Sequence, residues 1–125
     1  MEIKKKVINI PTSLHNLYKH YLTILKPINK LGTKEIELLA YMMYLNEIEK
    51  ENILKAEDRW NKIFSYDGRI KIRDKLDMSE YSLNNYITAL RKKGLIIDNQ
   101  IPDKYIPDIE KTDKFQLIFN FKING

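Results

Sequence analysis

Residues 79–96, SEYSLNNYITALRKKGLI, constrain this chain more than any other stretch, because they specify where a helix starts, where it stops and which way it faces. Ser79 suits an N-cap, its hydroxyl accepting from one of the orphan N–H groups of the first turn. Leu83, Ile87 and Leu90 recur at i, i+4 and i+7, so they line one apolar face. Gly94 is placed for a left-handed terminator, and Arg91, Lys92 and Lys93 fill the last turn, where cations suit the helix dipole. The other face carries Tyr81, Ser82, Asn84, Asn85, Thr88, Arg91 and Lys92. Such a helix packs a small core on one side and offers hydrogen-bonding groups on the other. Two successive asparagines cost a few tenths of a kcal/mol each against better helix formers. An exposed face that carries that cost can use the amides, since Asn pairs bidentately with adenine N6 and N7.

The residues on either side extend the pattern. Ser65, Tyr66, Asp67 and Gly68 are turn formers, and 69–76 reads as a short helix with Ile72 and Leu76 inward. Asp77, Met78 and Ser79 then make a tight connection, so that short helix, turn and longer helix give a helix-turn-helix layout. After Gly94, residues 95–101 read as a strand with a turn or bulge at Asp98 and Asn99, and Pro102 and Pro107 make 102–113 a loop. Residues 115–123 are the clearest strand: Phe115, Leu117, Phe119, Phe121 and Ile123 alternate with Gln116, Ile118, Asn120 and Lys122. Upstream, 2–10 reads as a strand ended by Pro11. Thr12 or Ser13 caps a helix to about Lys26, with Leu14, Leu17, Tyr18, Tyr21, Leu22 and Leu25 as its stripe and Pro27 as its stop. Thr33 is the expected cap of the next helix, which buries Ile36, Leu39, Ala40, Met43 and Tyr44; Trp60, Ile63 and Phe64 form a short helical plug.

With these pieces in order, residues 33–123 resemble a winged helix-turn-helix DNA-binding domain of the bacterial and phage regulator type. The resemblance rests on the cap at Ser79, then Leu83, Ile87, Leu90 and the run KKGLI, which look like a recognition helix leading into a first wing strand. It implies an α+β, mainly helical fold: one domain over 1–125, with residues 1–32 as an added N-terminal strand and helix and 33–123 as the winged-helix core. The resemblance further implies that the helix 80–93 enters the major groove of double-stranded DNA. Carried onto this chain, the base-reading residues are Tyr81, Ser82, Asn84, Asn85 and Thr88, and the phosphate contacts are Arg91 and Lys92 with Arg69, Lys71 and Arg73 from the preceding helix. The expected role is a small transcriptional regulator or a phage replication or packaging accessory, in the cytoplasm (the host's, if phage-encoded). One departure stands out. The family's wing often ends in a basic tip, whereas 98–113 holds five acids against two lysines and would be repelled by phosphate. That favours, as the alternative, a winged-helix module with a protein partner; a homodimer also fits the first reading, because paired half-sites double the readout.

Charge and composition narrow the function classes. Between Arg69 and Lys93 there are seven basic residues against three acids, a local patch suited to phosphate within a net charge of only +5. There is no cysteine, which excludes disulfides and thiolate metal sites, and no apolar run approaches the roughly 20 residues that span a bilayer. His15 and His20, five apart, do not share a helical face as a metal pair would, and the carboxylates Asp98, Asp103, Asp108 and Asp113 lack calcium-loop spacing. No phosphate-cradling glycine loop or nucleophile elbow occurs. The expectation is a non-enzyme with no catalytic residue, metal or cofactor.

Overall fold

A helix buried on nearly every side organises the molecule. The computed structural model describes residues 4–109 and 113–124. In chain order its helices are α1 (Leu14–Ile24), α2 (Lys26–Asn29), α3 (Thr33–Glu49), α4 (Ala56–Ile63), α5 (Tyr66–Leu76) and α6 (Glu80–Lys92), followed by a 3-10 turn at Asp103–Tyr105. Along α3, Leu38, Leu39, Ala40, Met42 and Met43 are all essentially inaccessible. Because neighbours on a helix point about 100° apart, a run of this kind faces protein all round. Accordingly α1, α4, α5 and α6 all pack on α3. Tyr18 and Leu22 enter the core from α1, Trp60 and Ile63 from α4, Ile72 from α5, and Leu83, Ile87 and Leu90 from α6.

The termini of these helices follow local chemistry. Ser13 Oγ accepts from the Asn16 N–H at 3.3 Å and starts α1. Pro27 does not stop this helix; α1 ends at Ile24, and Pro27 lies in the first turn of α2, where a missing N–H is no loss. Gly32, rather than Thr33, is the N-cap of α3, because the Glu35 carboxylate reaches back to accept the Gly32 N–H at 2.9 Å. Ser65 caps α5, so the expected turn over 65–68 is already the first turn of that helix. Gly68 is needed there: a Cβ at this position would lie 2.3 Å from the backbone oxygens of both Lys62 and Ile63. Arg59, buried at the start of α4, donates to Asn46 Oδ1 and to the Ile53 and Leu54 carbonyls, each at 2.9 Å, and so fixes the α3–α4 connection.

The winged-helix expectation fails here. Among the described residues there is no strand or sheet, and the lone bridge joins Ile97 to Gln100. Asp98 and Asn99, at φ 52° and 55°, make the two-residue turn that the sequence suggests, but the ladder goes no further. The cause is visible in the side chains. Leu95 and Ile96 are adjacent and both buried, which a strand with one wet face does not permit; Ile101 and Pro107 are buried as well. Residues 95–107 therefore fold back as an irregular plug over the helices, with Pro102 interrupting any pairing. Residues 4–10 and 114–124 run without regular structure, so neither the N-terminal strand nor the second wing strand forms. Residues 2 and 3 of the former lie outside the described part.

Candidate nucleic-acid interface

The turn between α5 and α6 is built by two backbone devices. Asp77 takes a left-handed conformation, φ 52°, and the Met78 N–H bonds to the Arg73 carbonyl at 3.0 Å, which ends α5. Two residues later Ser79 Oγ accepts from the Ser82 N–H at 3.1 Å and starts α6. At its far end, Gly94 at φ 77° lets the Leu95 N–H reach the Leu90 carbonyl at 3.0 Å while the Gly94 N–H reaches Arg91 at 3.1 Å. This paired closure comes with the burial of Leu95 beside Leu90.

With Leu83, Ile87 and Leu90 held inward, Tyr81, Asn85, Thr88 and Lys92 fall on the opposite ridge at intervals of four, three and four. Asn84 and Arg91 flank them. All six are exposed, Tyr81 to 77%. Ser82 is different: half-buried, its hydroxyl accepts from Ser79 Oγ at 3.1 Å, so it belongs to the cap more than to the outer face. Arg91 is turned along the surface, its guanidinium donating to Asn99 Oδ1 and tying α6 to the turn at 97–100. Lys93, in the same basic run, is a structural residue. Its ammonium donates to both Glu35 oxygens, at 2.8 and 3.1 Å, and to the Lys30 carbonyl at 3.3 Å. Burial alone would raise the Glu35 pKa, but hydrogen bonds from Lys93 and Gly32 and the lysine charge outweigh it and hold the carboxyl below its ordinary value.

The basic residues of α5 do not share one face. Positions 71 and 73 are about 160° apart on a helix. Arg69 and Arg73, both half-buried, line one flank. Lys71 lines the other, together with Lys75, beside His15 of α1 and Tyr41 and Tyr44 of α3. The His15 ring lies 5.4 Å from that of Tyr41 and 5.3 Å from that of Tyr44. Burial, then the charges of Lys19 and Lys75, push the His15 pKa down. Shallow hollows of 290 and 260 Å³ open beside it. No sequence signal foretells this cluster, since α1 and α3 meet only in the fold. It separates Lys71 from the other expected phosphate contacts.

No group of histidines and acids among the described residues could hold a metal ion. Nor is any described helix long and apolar enough to cross a membrane. Comparison of the chain with protein-family models, curated proteins and solved structures finds no match.

Proposed function

We propose that this chain binds double-stranded DNA through α6, as a wingless helix-turn-helix protein with no catalytic step, acting as a small transcriptional regulator or a replication or packaging accessory. The observation that carries this reading is the outer ridge of α6. Four exposed residues of complementary chemistry stand in line on a helix whose other side is anchored by three buried aliphatic ones. An α-helix fits the major groove, which is about 12 Å wide. Asn84 and Asn85 supply amides for base edges, Thr88 a hydroxyl and methyl, and Tyr81 a ring and hydroxyl near the helix start. Lys92 reaches phosphate, and so does Arg91 once released from Asn99. Arg69 and Arg73 extend the basic surface; Lys71 does not.

The test is selection of duplexes from a random pool, followed by fluorescence anisotropy across a salt series. The expected result is a discrete site and a log–log salt slope of roughly −0.9 per phosphate contact. Asn85→Ala should narrow the gap between specific and random duplexes, whereas Lys92→Ala should weaken both alike. Negligible binding at low salt would overturn the reading and favour the protein-partner alternative, to which the acidic turn beside Arg91 lends its charge.

A further inference from the structure

Three helices each turn one ridge toward the 260 Å³ hollow beside His15. Tyr41, Tyr44, Leu45 and Ile48 stand at i, i+3, i+4 and i+7 of α3 and so share a face. Lys71 and Lys75, four apart, come from α5, and His15 from α1, both helices packing on α3. The rings of His15 and Tyr41 lie 5.4 Å apart, those of His15 and Tyr44 5.3 Å, and the two tyrosines stack at 6.1 Å with planes at 23°. Tyr41 is buried, whereas His15 and Tyr44 are half-buried and reach the surface. The hollow therefore has an aromatic and aliphatic floor and two ammonium groups supplied by one wall. We propose that it is a nucleotide-binding site, which holds an unpaired base against the rings and its phosphate on Lys71 and Lys75.

Charge places the phosphate. No acid lines this hollow, and among the described residues neither Lys71 nor Lys75 forms an ion pair. A neighbouring hollow of 290 Å³ shares His15 and Lys75 but sets Lys19 and Lys75 against Glu37 and Asp77, so its charges cancel. An anion is drawn to the first hollow and not to the second. Burial and the charges of Lys19 and Lys75 hold the His15 pKa below 6.5, so at neutral pH its imidazole is chiefly a flat, uncharged ring.

The floor and the size of the hollow narrow the ligand further. Inorganic phosphate or an acidic side chain would satisfy the lysines and leave the rings bare, and a neutral ring would do the reverse. A nucleotide joins the two parts, and because every base has a π-face, stacking on aromatic side chains accepts any of them. The hollow is smaller than the roughly 300–1,000 Å³ of pockets that enclose a small ligand, so it takes the base and leaves neighbouring groups outside. Bases inside a duplex have both faces covered, so this site does not compete for duplex DNA. It shares no residue with the outer ridge of α6 and stands independently of the duplex reading.

The chain carries two histidines, of which only His15 lines the hollow, so His20 is an internal control. The imidazole proton resonances of the full chain are followed at about pH 8, above the ordinary histidine titration. Adenosine monophosphate should shift His15 and leave His20 in place, and adenosine or inorganic phosphate alone should require roughly tenfold more ligand for the same shift. Lys71→Ala, at an exposed position, should weaken the monophosphate roughly three- to tenfold with the helical circular dichroism unchanged, while Lys92→Ala on α6 should not weaken it. A single-stranded tetranucleotide separates the two sources of this chemistry: tighter binding than the monophosphate assigns the site to a strand, and no tighter binding assigns it to the free nucleotide. The proposal is overturned if the monophosphate leaves His15 unmoved, or if inorganic phosphate or an acidic peptide shifts it as readily. It is overturned equally if a fully paired duplex shifts His15 as well as the single strand does, or if Lys71→Ala changes nothing.

Discussion

Arg91, Lys92 and Lys93 are three consecutive cations at one helix end, yet the fold gives each a different task. Arg91 bonds to Asn99, Lys92 projects from the outer ridge, and Lys93 is drawn inward to Glu35. The difference follows from helical angle and from what stands opposite. Lys93→Ala should therefore lower stability by about 1–3 kcal/mol, the usual cost of losing a charged hydrogen bond with its partner left buried. Lys92→Ala should leave the melting temperature unchanged and act only on DNA affinity. Acid should report the same pair. The Glu35 pKa is depressed in the folded state, so its contribution is fully present above its ordinary value of 4.5 and is lost as pH falls below it. Glu35→Gln should flatten that part of a stability-against-pH curve. His15 adds a step at higher pH. Its folded pKa lies below 6.5 through burial and the nearby Lys19 and Lys75, so the unfolded chain takes up the proton first. Stability should begin to fall as pH drops below 6.5. An NMR titration placing His15 at or above 6.5 would refute this.

At the scale of elements, the turn and caps around α6 were legible because each is written in adjacent residues. Ser65, read as part of a turn, caps α5, and Gly32 takes the cap expected at Thr33, whereas Ser13 and Ser79 cap their helices and Gly94 closes α6 in the left-handed conformation expected of it. Gly94→Ala should cost about 1–2 kcal/mol for that reason, read as a shift in denaturant midpoint. Gly68→Ala should cost about as much or more by a different route, because the new methyl would strike the backbone oxygens at the end of α4. No local signal announces that need; it arises only from how α4 and α5 meet. The apolar stripe of α6 was equally legible, since Leu83, Ile87 and Leu90 are all buried as their spacing requires. Strands were misread for the complementary reason. Alternation in 115–123 and β-branched residues in 4–10 describe what a segment can do once paired, and among the described residues neither is paired in a sheet. In 95–101 the adjacent pair Leu95 and Ile96 already spoke against a half-wet strand. The face of α6 was thus readable as a surface, while the division of the α5 cations between two flanks needed the positions of α1 and α3.

For the whole molecule, the buried core is drawn from one continuous part of the chain. Among the described residues every buried hydrophobic residue lies between Tyr18 and Ile101. Beyond Ile101, Pro107 is buried and Ile109 half-buried, and the Phe115 ring meets Tyr21 of α1. The helices should therefore stand without either end. A chain of residues 12–109 should keep the helical circular dichroism and melt cooperatively within a few degrees (roughly 1 kcal/mol) of the full chain, since little apolar area is removed from the core. It should retain α6 and hence contact with random duplex DNA. An unfolded 12–109 chain would mean that the ends complete the core of a single molecule. The end segments would then be part of the fold.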